Sequence, residues 1–179
     1  MKKILFGFFA LVLTLGLSSV ETSAQYADKK AKKDIVDTAM ATDQLSTLVA
    51  AVKAADLVNT LKGAGPFTVF APANDAFAAL PDGTVDSLLQ PENKSALTKV
   101  LTYHVVAGKV AAKDVAAAIK AGNGRAELTT VQGGKLVAMM DGKDVVLMDE
   151  MGRRSKVTAV DVMTSNGVVH LIDSVVMPK

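Results

Sequence analysis

Two histidines are all the imidazole this 179-residue chain carries, and it has no cysteine. His170 lies three residues before Asp173 in Gly167-Val168-Val169-His170-Leu171-Ile172-Asp173-Ser174-Val175-Val176-Met177-Pro178. A His–Asp pair suits acid–base work or a metal site. In a strand, however, side chains three apart point to opposite faces, so the two cannot act on one atom without a bulge. A metal would need third and fourth ligands, and His104 is the one remaining imidazole. A hydrolase built on a nucleophile elbow would need G-x-S-x-G, which does not occur, and neither does a P-loop or a G-x-G-x-x-G. The pair therefore reads as two polar groups set into a buried strand, with Asp173 and His104 expected to satisfy buried backbone groups.

Three other clusters invite chemistry. Tyr103-His104-Val105-Val106 falls where a helix gives way to a strand, and a buried phenol and imidazole there need hydrogen-bond partners. Asp141, Asp144, Asp149 and Glu150 are close in sequence but do not follow a calcium-loop pattern. Arg153, Arg154 and Lys156 follow across a glycine-containing turn, and cross-strand charge pairing on a solvent face accounts for both groups. Five of the eight methionines, Met139, Met140, Met148, Met151 and Met163, gather in the same region. They suit core filling, or on a sharper reading an apolar groove for a lipid, a carotenoid or a partner's side chains.

The elements that must position these residues follow from periodicity. Ile35, Val36 and Ala39 mark a short helix, and Leu45, Leu48, Val49 and Val52 an amphipathic one begun near Thr42-Asp43. Leu57 to Leu61 continues helically until Gly63 and Gly65. Phe67-Thr68-Val69-Phe70 is a short strand ended by Pro72, and helices follow at Asp75 to Leu80, around Val85 to Leu89, and from Pro91 to Leu101. Val115 and Ile119 share a face of one more. Strand patterns then cover Ala126 to Val131, Lys135 to Met140, Asp144 to Asp149, Ser155 to Val162 and Val168 to Met177. Gly133-Gly134, Asp141-Gly142 and Gly152 supply hairpin turns between them. Helices first and antiparallel hairpins later predict an α+β fold.

The stretch from Gly167 to Pro178 resembles the second signature motif of fasciclin (FAS1) domains. Gly65-Pro66-Phe67-Thr68-Val69-Phe70-Ala71-Pro72-Ala73-Asn74-Asp75-Ala76-Phe77 resembles the first, and Tyr103-His104 the family's Tyr-His motif. The likeness runs from about Asp34 to Pro178. It implies a wedge of mostly antiparallel strands packed against a helical cluster. Phe67, Thr68, Phe70, Pro72, Asn74, Phe77, Gly167, His170, Asp173 and Pro178 are then architectural, and Tyr103 and His104 form a candidate interaction motif. Ala73 stands where the family usually has a hydroxyl that caps the next helix, and Asn74 is the expected replacement, with Asp75 favourably placed against the dipole.

Lys2, Lys3, the apolar run Ile4 to Leu17 and the small residues Thr22-Ser23-Ala24 read as a secretory signal peptide over 1–24. Gln25 to Lys33 reads as a polar linker, leaving a single domain over 34–179. The net charge of +2 lacks the basic excess of a dedicated nucleic-acid binder. Export without cysteine means no disulfides, so the core must supply the stability. No other stretch is apolar and long enough to span a membrane. The expected protein is exported to the periplasm or beyond and non-enzymatic, with no cofactor. It would contact a protein or cell-surface polymer in adhesion or at the matrix or envelope, as the resemblance implies, with carriage of an apolar small molecule as the alternative.

Overall fold

A computed structural model describes residues 33–179. The expected signal peptide and the linker up to residue 32 lie outside the described residues. Seven α-helices, two short 3₁₀ turns and seven strands follow in chain order. The first three helices are α1 (Ile35–Met40), α2 (Ser46–Ala54) and α3 (Val58–Lys62). Strand β1 (Phe67–Pro72) precedes α4 (Asn74–Ala78), α5 (Thr84–Leu89) and α6 (Lys94–Tyr103). Then come β2 (Val105–Ala107), α7 (Ala112–Ala121), β3 (Arg125–Thr129), β4 (Lys135–Asp141), β5 (Asp144–Met148), β6 (Arg154–Met163) and β7 (Gly167–Ile172).

The strands form one sheet in the order β2-β1-β7-β6-β5-β4-β3. Only β1 and β7 run parallel, in register from Phe67 beside Gly167 to Pro72 beside Ile172. All other pairs are antiparallel. The two ends of the sheet meet, since Val106 bridges to Thr130 and the Val131 N–H donates to the Val105 carbonyl at 2.7 Å. That closure leaves the sheet wedge-shaped and shields the edges that would otherwise invite foreign strands. The expected α+β architecture is the observed one. The last strand stops at Ile172, however, rather than running to Met177.

Two apolar clusters occupy the two sides of the sheet. Alternation along β1 sends Val69 and Ala71 to one and Phe70 to the other, and β7 likewise divides Val169 and Leu171 from Ile172. The first cluster packs under α1, α2, α3 and α6, and the second under α7 and the hairpin strands. Every residue of β7 is buried, as expected of a strand covered on both faces. A Cβ at Gly167 would collide with the Phe67 carbonyl and the Ile35 side chain, so the close β1–β7–α1 approach requires glycine there.

Asn166 ties this approach together, and the sequence did not single it out. Its Oδ1 accepts from the Ile35 N–H at 3.0 Å, where α1 has an unpaired donor. Its Nδ2 donates to the Leu61 and Gly63 carbonyls at 2.7 and 3.1 Å, where α3 ends. One side chain thus closes two helix ends against the sheet. Asn166→Ala should lower stability by roughly 1–3 kcal/mol, the usual cost of orphaned partly buried groups. Asn166→Asp should be at least as damaging, because a carboxylate would face two carbonyl oxygens. Urea denaturation midpoints check both.

Candidate functional site

The residues with chemical potential converge in two networks. The first surrounds the crossover from β2 to α7. Thr68, fully buried, donates its hydroxyl to the Gly108 carbonyl at 2.7 Å and accepts from the Val110 N–H at 2.8 Å. His170 lies 2.9 Å from the Val110 carbonyl through Nε2 and 3.2 Å from the Asp161 N–H through Nδ1. A carbonyl only accepts and an amide only donates, so the ring is neutral with its proton on Nε2. Its face stacks on Phe70, with centroids 5.5 Å apart.

Asp161 completes this network and was also not singled out in the sequence. It sits at an irregularity in the β6–β7 ladder, with φ of 58°. The bulge turns its N–H toward His170 and lets its Oδ1 accept from the Ala112 N–H at 2.8 Å, in the first turn of α7. The signal was present as a lone Asp between Val160 and Val162, read there as an ordinary strand position.

The second network holds the C-terminal segment. The Tyr103 hydroxyl donates to the Lys135 carbonyl at 2.7 Å and accepts from the Glu150 N–H at 3.2 Å. Its ring lies against Gly134, where a Cβ would meet it at 2.6 Å. Burial pushes the phenol up from its usual range. His104 lies 2.7 Å from the Val100 carbonyl through Nδ1, and its Nε2 accepts from the Val176 N–H at 3.3 Å. By the same reasoning its proton is on Nδ1, the opposite tautomer to His170. Burial pulls the ring down to about 4, against smaller opposing pulls from the Val100 carbonyl and the Asp149 carboxylate.

Asp149 corrects an expectation. It is not on a solvent face but buried, accepting from the N–H groups of Met151, Arg153 and Met177 and from Arg153 Nε. Cross-strand pairing does hold for Lys156 and Asp144, 2.7 Å apart on β6 and β5. Asp173 departs from expectation in the other direction. It is exposed beyond the end of β7, although its carboxylate accepts from the Lys156 N–H at 2.8 Å. His170 and Asp173 are not brought together.

Asn74 does not cap α4, whose N-cap Ala73 has no side-chain hydrogen bond. It reaches to α2 instead, accepting from the Thr47 N–H at 3.0 Å and donating to the Asp43 carbonyl at 3.0 Å. The motif asparagine caps a helix, but one distant in sequence. Pro72 and Phe77 are buried and half-buried at the same strand-to-helix corner, Phe67 is half-buried at the start of β1, and Pro178 is half-buried in the C-terminal segment. Among the described residues no cluster of three or more His, Asp or Glu side chains is arranged to hold a metal ion.

The fasciclin-domain family model matches residues 43–178. The chain belongs to the fasciclin family. Protein sll1483 of Synechocystis is 47% identical over 178 residues, covering 96% of this chain and 91% of that protein. The immunogenic protein MPB70 of Mycobacterium bovis is 39% identical over 140 residues, covering 75% and 64%. Human periostin is 30% identical over 150 residues, but the chain spans only 16% of its length. A solved FAS1 domain pair from the insect cell adhesion molecule Fasciclin I shares the fold, with a TM-score of 0.59 over 74% of this chain and 45% of that one at 22% identity. In this fasciclin domain Tyr103 is fully buried and His104 is 2% exposed, so neither ring is presented at the surface.

The His104 environment makes stability depend on pH. The unfolded ring takes up a proton near its usual 6.5, whereas the folded ring resists until about 4. Stability is thus complete above 6.5 and falls as pH drops from 6.5 to 4, by on the order of 3 kcal/mol in total. His104→Gln should begin less stable but lack this part of the slope. Urea melts of both proteins between pH 4 and 7 provide the check, and the two curves should converge toward acid.

Proposed function

We propose that this fasciclin domain is an exported, non-enzymatic interaction module that contacts a protein or cell-surface polymer in adhesion or at the matrix or cell envelope. One observation carries the reading. The polar side chains that could do chemistry, Tyr103, His104 and His170, have their ring nitrogens and hydroxyl engaged by backbone partners. A general acid or base needs a proton site that a substrate can reach. Function is left to the outer surface, where recognition of a macromolecule needs area rather than a reactive cleft. The insect protein sharing the fold is named a cell adhesion molecule, which supports the same direction.

Export rests on the basic and apolar start of the chain, with cleavage after Ala24. No helix among the described residues is long and apolar enough to cross a membrane. The methionines do not favour the carrier alternative. Met140, Met151 and Met163 are exposed at separate points, and none of the five lines the main apolar cavity.

Deleting the gene should weaken surface attachment, cell aggregation or biofilm formation, and adding the purified protein should restore it. Crystal-violet retention and aggregate counts measure this. Normal attachment in the deletion strain would count against the reading.

A further inference from the structure

An apolar cavity lies between the sheet and helices α1, α2, α3 and α6, with His104 of the second network among its lining residues. It has a volume of about 60 Å³. A void of about 10–15 Å³ suffices for one water, so this one has room for several atoms. Its floor is Phe67, Val69 and Val169, and its walls include Val52, Val58 and Leu61. Water would find almost no partners there, and an empty apolar void leaves its lining short of contacts.

The rim differs from the interior. Lys53, in the last turn of α2, and Thr60, on α3, are exposed and line the same cavity. Lys53 forms no ion pair among the described residues, while its neighbour Lys62 is held by Asp34 and Asp37 at 2.9 and 2.6 Å. The combination is an apolar slot with an unpaired cation and a hydroxyl at its mouth.

We infer that this cavity binds a single-chain alkyl carboxylate, its tail between the helices and sheet and its headgroup at Lys53 and Thr60. Charge complementarity selects the carboxylate over a neutral hydrocarbon or an alkyl amine. The inference does not rest on the adhesive reading, because it is drawn from the lining of the cavity alone. The ligand class rests on the rim, not on the methionines.

The test uses the purified protein with decanoate and 1-decanol as probes, read by thermal melting and by Val and Leu methyl NMR. Decanoate should raise the melting temperature in a concentration-dependent way. The shifted methyl signals should be those of Val49, Val52, Val58 and Leu61. Lys53→Gln should weaken decanoate binding about two- to fivefold, the range for a partly exposed ion pair, and leave decanol unaffected. Val49→Phe, which fills the slot, should abolish the binding of both. The inference fails if neither probe shifts those methyls in the wild-type protein, or if the shifts fall elsewhere. It also fails if Lys53→Gln affects decanoate and decanol alike. Because the wild-type NMR reading stands alone, misfolding of a variant would not rescue it.

Discussion

The parallel pair β1–β7 is covered on both faces, and that single constraint organises the rest of the molecule. A strand buried on both sides cannot leave a polar group to water, so each one must find a partner inside the protein. Thr68 and His170 sit in this pair and do so by reaching to the same residue, Val110, Thr68 to its N–H and His170 to its carbonyl. The crossover between β2 and α7 is thereby fastened to the centre of the sheet. Asn166, one residue before β7, fastens α1 and α3 in the same manner.

The second network extends the same principle to the C-terminal segment. The Asp173 N–H still donates to the Lys156 carbonyl of β6, but beyond it the chain leaves the ladder. His104 takes the N–H of Val176, the buried Asp149 carboxylate takes that of Met177, and Glu150 takes that of Lys179. Tyr103 links the same corner to β4. The adjacent pair Tyr103-His104 therefore acts as a junction between α6, the hairpins and the end of the chain. Polar residues of this kind make the fold specific at a cost in desolvation, which for His104 appears as resistance to protonation.

Most of the architecture was legible in the sequence because periodicity reports burial. Leu45, Leu48, Val49 and Val52 marked a helical face, and the hairpin glycines marked the turns, with Gly133, Gly142 and Gly152 all at positive φ. Polar partnerships were much less legible. The Asn74 side chain caps a helix that begins 28 residues earlier, and nothing local to Asn74 shows this. Asp149 looked like its acidic neighbours, yet four donors from the turn and the C-terminal segment surround it. Asp161 needed a bulge that periodicity does not display. Asp173 appeared buried because Val175 and Val176 suggested a continuing strand. In each case the deciding partner lies across a tertiary contact, and spacing along the chain carries no record of it.

The two histidines of this fasciclin domain are structural ties in opposite tautomers. Long-range ¹H–¹⁵N NMR of the imidazole rings near pH 6 reads this directly. His104 should show its proton on Nδ1 and His170 on Nε2, and His104 should stay neutral as the pH is lowered toward 5. A His104 ring that titrates near 6.5, or two rings averaging rapidly between tautomers, would contradict the claim and reopen a chemical or recognition role for the motif.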